Sequence, residues 1–307
     1  IRSWRDTADM VSVGTGSDEF VGMSTPLVSV MMPARNEAGF IGDAIRSILK
    51  QTYTNWELII VDDKSTDGTK EIALEFARRD DRIRVIDGDG ICSGNARNKA
   101  IDAARGKYIM NMDADDVSVP ERIEKLLAVA CQYPQVVVGS AMAFVDLDLN
   151  VKRVTKKPTD NVTIRRKLRR LWGRAAITPG TIMASADLLR QYKYNEFYKV
   201  MVDWDLILRL AENEAVVFAN VPEPLYLYRL NSGSMTLNQG PRVRYNILVR
   251  YNELQRRKGR PEIRSLEEFE AMVRESPTRR IAYNSVLMMK RIQHTMVWMK
   301  HRAREAT

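Results

Sequence analysis

KYIMNMDADD, residues 107–116, gathers three carboxylates into four positions directly after an apolar run. The run reads as a buried strand, and the charge begins where it ends. Two junctions of the same kind lie upstream. PLVSVMMP (26–33) runs into PARNE (33–37), and WELIIVDD (56–63) runs into KSTDG (64–68). Between them stand stretches of helical spacing. AGFIGDAIRSILKQ carries Phe40, Ile41, Ala44, Ile45, Ile48 and Leu49 on one face, and STDGTKEIALEFARR has a start signal at Ser65 or Thr66. RIRVID, the helix SGNARNKAIDAARG ended by Gly106, the helix VPERIEKLLAVACQY and the strand VVVGSAMAFVD complete the alternation. Continuous apolar strands alternating with helices predict an α/β fold with a mostly parallel central sheet covered on both faces. Ligands of such sheets bind beyond the carboxyl ends of the strands, where all three acidic junctions would lie together.

The alternation stops near Asp146. After it come an edge strand (NVKRVT), a basic helix (NVTIRRKLRRLW), an apolar patch (AAITPGTIMAS), the helix DWDLILRLAENE, the strand VVFANV and the segment PLYLYRL. In the basic helix Ile164, Leu168, Leu171 and Trp172 form an apolar stripe, with the arginines expected to face away from it. The organisation read from these patterns is an arm over 1–25, one domain over 26–236 and a helical, basic extension over 237–307. The domain divides into a nucleotide-binding half (26–116) and an acceptor half (117–236). Met289, Ile292, Met296 and Met299 line one side of the last helix, as a core or homodimer seam would.

Composition narrows the chemistry. Among 307 residues there are two histidines, near the C-terminus, and two cysteines, Cys92 and Cys131, outside any metal-ligand spacing. Zinc and histidine-based catalysis are thereby disfavoured, and free thiols fit a reducing, cytoplasmic setting. No apolar run is long enough to span a bilayer. The net charge of +9 is concentrated between Lys152 and Arg174, which holds ten Lys/Arg against one acid. Such a segment is either a solvated face or a contact for a polyanion: a lipid-linked diphosphate, an anionic membrane surface touched peripherally, or nucleic acid.

The three acidic junctions then acquire candidate roles. Carboxylates converging at one sheet edge repel, and a hard divalent cation relieves that repulsion while substrate phosphates complete its shell. Asp113 and Asp115 are one residue apart and, on an extended segment, point the same way. Asp62 and Asp63 either cap the following turn or accept hydrogen bonds from a nucleobase or ribose. Arg97 and Asn98, at a helix start, are placed either for phosphate or for a surface salt bridge. Asp203 is either an N-cap or a general base for an attacking hydroxyl; Asp205 more naturally faces elsewhere.

In this order and spacing the pieces resemble the family 2 glycosyltransferases of GT-A fold. The matching text is VSVMMPARNE, ILKQTYTNWELIIVDDKSTDGT, GNARNKAIDAARGKYIMNMDADD, VDWDLILRL and PLYLYRLNSGSMT, spanning Leu27 to Thr236. The resemblance implies an inverting transfer of sugar from a nucleoside-diphosphate donor, UDP favoured, to an acceptor hydroxyl. It implies that Pro33, Arg35 and Glu37 line the nucleotide pocket, Asp63 reads the base, and Arg97 lies near the nucleotide. It further implies that Asp113 contacts the ribose and that Asp115, with Asp113, holds Mn²⁺ or Mg²⁺ through the diphosphate. Asp203 would be the base, and Tyr228, Arg229 and Ser234 would belong to a segment closing over the donor. Where the family often has Glu-Asp, this chain has Val202-Asp203. A nucleotidyltransferase would need a Gly-rich basic loop after the first strand, which PARNEAGF does not supply. Other readings are a non-catalytic nucleotide-sugar-binding protein and a transferase acting on hydroxyl-bearing modified bases of nucleic acid.

Overall fold

The computed structural model describes residues 25–170, 176–231, 239–281, 283–285 and 287. The first half follows the alternation. β1 (Val28–Ala34), β2 (Trp56–Asp62), β3 (Ile83–Asp87) and β4 (Tyr108–Asn111) form a parallel sheet in the order β3-β2-β1-β4. Helices α1 (Ile41–Leu49), α2 (Thr69–Ala77) and α3 (Ser93–Ala103) connect them. β1, β2 and β4 are buried along nearly their whole length because both faces are covered, while the edge strand β3 is only partly so. Two details differ from expectation. β1 continues through Pro33, since its pairing with β4 has ended at Met31 and the missing N–H is tolerated there. α2 begins at Thr69, after Gly68 at φ +93°, rather than at Ser65 or Thr66. The side chains of 65–67 are used instead to hold the neighbouring loop. Ser65 Oγ accepts from Asn36 N (3.0 Å) and Asp67 Oδ2 accepts from Ala38 N (3.0 Å).

The second half makes the sheet mixed. After the short β5 (Val117–Ser118) and α4 (Arg122–Ala130), β6 (Val136–Val145) turns through a hairpin into β7 (Val151–Val154). α5 (Asn161–Leu168) follows, and the apolar patch becomes a 3-10 turn at Pro179–Thr181 and a three-residue strand β8 (Met183–Ser185). β8 is inserted antiparallel between β4 and β6. VVFANV and PLYLYRL are one strand, β9 (Val217–Arg229), parallel to β6. Its register jumps at Ser140/Ala141, so Pro222 and Glu223 bulge out of the ladder and both prolines are accommodated. The arginines of α5 do not all face away. Arg165 is buried, donating to the carbonyls of Ala211 (2.9 Å) and Asn213 (2.7 Å) and to that of Val216, where it ties α5 to the end of the helix over Val202–Glu212.

α6 (Ala186–Tyr192) leads to α7 (Val202–Glu212). The helices beyond residue 237, α8 (Gln239–Arg257) and α9 (Leu266–Arg274), share a core with it: Tyr245, Leu248, Val249, Phe269 and Val273 join Trp204 and Ile207 in one buried cluster. Leu171, Trp172, Ser234 and the methionine face of the last helix lie outside the described residues. No described helix is long and apolar enough to cross a membrane.

Candidate active site

The ends of β1, β2 and β4 meet at one sheet edge, as parallel pairing requires; Ala34 lies opposite Asp62 and Asp62 opposite Asp87. Just past the edge, Asn36 and Lys64 adopt left-handed backbone angles (φ +57° and +64°), turning the chain sharply out of the sheet. Asp62 Oδ2 receives Ser65 N (3.3 Å), and its other oxygen is buried without a hydrogen-bond partner. Asp63 is buried under the loop after β3. Gly90 N donates to its Oδ1 (2.7 Å), and a Cβ on Gly88 would lie 2.6 Å from the same oxygen, which only glycine avoids. Exposed Arg35 stands 3.9 Å from the second oxygen. Pro33 is half-buried at the strand end. Glu37 follows it, its backbone N–H fixed by Thr69 Oγ1 (2.7 Å). Burial first, then the charges of Asp115, Asp67 and Asp113, push its carboxyl up to about 7.

The three acids of 113–116 occupy three environments. Asp113 is held on both oxygens: Arg97 Nη2 donates to Oδ1 (3.0 Å) and the Tyr226 hydroxyl to Oδ2 (3.2 Å). Asp115 receives Asn231 Nδ2 (3.1 Å). Burial, then the Asp113 charge, pushes it up to about 6. Asp116 is fully buried and accepts Arg229 N (2.8 Å), fastening the end of β9 beneath the cluster. Arg229 is 3% exposed, and its guanidinium donates to the carbonyls of Asp115 (3.0 Å) and Leu147 (3.2 Å) and to Asp43 Oδ2 (3.1 Å). It is a strut under the site rather than a group reaching over a donor, which corrects the expectation from sequence. Arg122, which sequence reading missed, lies fully buried with its guanidinium 4.7 Å from the Tyr226 ring centre. It donates to the carbonyls of Asn111 (2.7 Å) and Gly180 (3.0 Å). Three arginines thus already offset part of the repulsion assigned above to a cation alone, while burial and the neighbouring acids still hold Glu37 and Asp115 above their ordinary values. Among the described residues no three His, Cys, Asp or Glu side chains form a ready-made metal cage. Asp115 with Asp113 nevertheless fits a hard cation, which takes one or two carboxylates and completes its shell from phosphates; the second lone pairs of both carboxylates remain for it.

Asp203 comes to this cluster from α7. Met201 enters the helix at φ +70° and its carbonyl accepts Trp204 N (3.1 Å) and Asp205 N (3.0 Å). Met201, not Asp203, occupies the N-cap. Asp203 Oδ1 lies 3.4 Å from Arg97 Nε and has no hydrogen-bond partner of its own. Burial raises its carboxyl above the ordinary Asp range, and the Arg97 charge opposes that rise. One guanidinium therefore joins Asp113 to Asp203, about ninety residues apart in sequence. Val202 is buried against α3, its Cγ1 3.2 Å from where a Gly94 Cβ would stand, a place with no room or solvent for a second acid. Asn98 is not free for a nucleotide. Its Nδ2 donates to Tyr194 O (2.9 Å) and Glu196 Oε1 (2.8 Å), and its Oδ1 accepts Tyr194 N (2.8 Å), pinning segment 194–196 to α3. Asp205 is turned away from the cleft, as expected, onto Arg209 (2.7 Å) and Arg256 (3.6 Å).

Residues 29–192 match the profile of Glycosyl transferase family 2. This chain belongs to that family. The glycosyltransferase EpsJ of Bacillus subtilis is 32% identical to it over 232 residues, 69% of the chain and 63% of EpsJ. The UDP-Glc:alpha-D-GlcNAc-diphosphoundecaprenol beta-1,3-glucosyltransferase WfgD of Escherichia coli is 40% identical over 103 residues, 33% of the chain and 40% of WfgD. Among solved structures, Staphylococcus aureus TarS, residues 1–349 in complex with UDP, superposes with a TM-score of 0.58 at 21% identity, covering 74% of this chain and 65% of that one. The chain thus spans less than two thirds of each of these three proteins. The TarS likeness establishes the shared α/β architecture of the GT-A type, mixed sheet included. It leaves the assignment of individual side chains of this family 2 glycosyltransferase to their own geometry.

Proposed function

We propose that the protein transfers a sugar from a UDP-sugar to an acceptor hydroxyl with inversion, using Asp203 as general base. The observation that carries this reading is the single Arg97 guanidinium shared by Asp113 and Asp203 at the edge where β1, β2 and β4 end. UDP is favoured because it is the nucleotide in the TarS complex and in the name of WfgD. Asp63, Glu37, Arg35 and Pro33 border the nucleoside side, and Asp113 faces the ribose. Asp115, with Asp113, would hold Mn²⁺ or Mg²⁺, whose chemistry there is to neutralise charge growing on the departing diphosphate. Asp203 takes the acceptor proton as the new C–O bond forms on the face opposite the leaving group. Because the leaving diphosphate needs no protonation, one base suffices where an inverting hydrolase needs two carboxyls. Burial favours this role by raising the basicity of Asp203, and the Arg97 charge opposes that rise by favouring the ionised form. The acceptor is an anionic, lipid-linked glycan, by analogy with the diphosphoundecaprenol acceptor named for WfgD and in keeping with the basic segment from Lys152.

Asp203→Asn tests the base. Transfer should fall by about 10²–10⁴-fold, while UDP with Mn²⁺ still raises the Tm of the variant by mass action. Undiminished turnover would overturn the assignment.

A further inference from the structure

Five of the ten large apolar side chains exposed among the described residues lie in one place. Leu147 (57% exposed), Leu149 (37%), Val151 (44%) and Val154 (48%) lie on the β6–β7 hairpin. Leu230 (38%) stands beside them, its N–H bonded to the Val145 carbonyl at 2.8 Å. A patch of this kind on a soluble surface marks an interaction site. Leu149 sharpens the point. It sits at φ +64°, in the left-handed region where Asn or Gly is at ease and a bulky side chain is strained. The chain keeps a leucine at a hairpin tip where local energetics prefer Asn.

Charge identifies the partner. Lys152, Arg153, Lys156 and Lys157 follow the tip. Arg153, Lys157 and Lys167 crowd one another: burial, then the charges of Lys167 and Arg153, push the Lys157 ammonium down to about 8. Of the two acids at the tip, Asp146 is turned into the turn, accepting Asn150 N (2.8 Å) and pairing with Lys152 (2.7 Å); Asp148 is exposed. Apolar side chains with Lys152, Arg153, Lys156 and Lys157 close by in sequence complement the surface of a bilayer containing anionic lipid, although Lys152 is paired with Asp146 and Arg153 lies over the Phe144 ring. The hairpin is also mechanically joined to the acid cluster, because Arg229 grips the carbonyls of both Leu147 and Asp115.

We propose that the β6–β7 hairpin with Leu230 is a membrane-docking lip, which inserts its leucines and valines among anionic phospholipids and so presents the acid cluster to an acceptor at the bilayer surface. The proposal rests on the lipid-linked acceptor argued above. It is tested by co-sedimentation with phosphatidylcholine vesicles with and without phosphatidylglycerol. The protein should pellet with the anionic vesicles. Leu149→Asn/Val151→Thr should weaken that binding by about tenfold, and Leu149→Asn alone should weaken it while leaving Tm unchanged or raised. Lys156→Glu should weaken it and make what binding remains less sensitive to salt. No binding to any vesicle overturns the lip, as does equal binding by the wild type and the Leu149→Asn/Val151→Thr variant. A dimer by light scattering that these substitutions dissolve, without vesicle binding, would assign the patch to a second copy and overturn it as well. UDP-induced thermal stabilisation, measured in parallel, tests the donor site separately, so a failed lip and a failed glycosyltransferase reading give different results.

Discussion

Asp203 and Asp205 stand two residues apart at the start of α7, each paired with arginine, yet they belong to opposite parts of the molecule. Asp203 faces the cleft, half-buried, 3.4 Å from a guanidinium it shares with Asp113 and with one oxygen lacking a hydrogen bond. Asp205 is fully buried. It holds Arg209, which in turn donates to the carbonyls of Tyr192 and Lys193 (2.6 Å each), and it faces Arg256 of α8. The difference shows what a site carboxylate needs: a loose partner and a path to solvent. Asp205 also leaves one oxygen without a hydrogen bond, but it is shut off from solvent and its partner Arg209 is fixed by two carbonyls. Two substitutions of the same kind should separate the two roles. Asp203→Asn should lose nearly all turnover with Tm unchanged or raised, since burying its charge costs stability in the folded protein. Asp205→Asn leaves Arg209 without its counter-charge, while Arg256 keeps Glu212 and Glu262, and should destabilise by about 3–5 kcal/mol, measured by denaturant unfolding. The fraction that stays folded should retain its kcat. Equal losses of stability in both variants would erase the distinction.

The pH dependence of turnover sharpens the comparison on the cleft side. In the proposed role Asp203 must be ionised to accept a proton. Burial favours its neutral form and Arg97 its ionised form. The acid limb of kcat should therefore lie above the ordinary Asp range. Arg97→Gln removes the opposing charge, so the limb should move to still higher pH. At a fixed pH on that limb the variant is then the slower enzyme, and raising the pH should recover part of the loss. A limb that moves down, or not at all, would show that Asp203 is not the titrating base. Removing Arg97 also frees Asp113, so donor affinity should fall in parallel without tracking pH in the same way.

The sequence disclosed these two regions unevenly. The first half, up to residue 116, was legible because long apolar strands and intervening helices leave a pattern, and because parallel pairing brings their acidic ends together by geometry alone. Asp113, Asp115 and Asp203 stood out as acids at element boundaries. The supporting residues did not. Arg122 meets Asn111 and Gly180 across 11 and 58 residues, Tyr226 meets Asp113 across 113, and Asn98 meets Tyr194 across 96. Nothing local marks such partners, since any Arg, Tyr or Asn at those positions reads as surface. β5 and β8 were missed for a related reason. Two- and three-residue strands carry no period of their own and exist through antiparallel pairing with β9, β4 and β6. Arg229 and Asn98 were read as donor contacts because they lie in motif text. Burial reassigns them, for each is already engaged by internal carbonyls or carboxylates.

The smallest effect tests whether those supports tune the site or merely fill space. Tyr226 is buried, with its ring under the Arg122 guanidinium, and its hydroxyl both accepts Asp113 N (3.2 Å) and donates to Asp113 Oδ2 (3.2 Å). Tyr226→Phe keeps the ring, the cation–π contact and the packing, and deletes only the oxygen. Asp113 would still be held by Arg97, so the loss should be that of one ordinary hydrogen bond, about 1 kcal/mol. If the hydroxyl fixes the rotamer in which Asp113 meets the donor, that amount appears as a roughly fivefold rise in the KM for the nucleotide sugar, with kcat nearly unchanged. If the hydroxyl only satisfies a buried backbone N–H, the same 1 kcal/mol or so appears in unfolding free energy instead, and KM stays put. Measuring both quantities on one variant decides between them, and places Tyr226 either with Asp203 on the working side of the comparison or with Asp205 on the structural side.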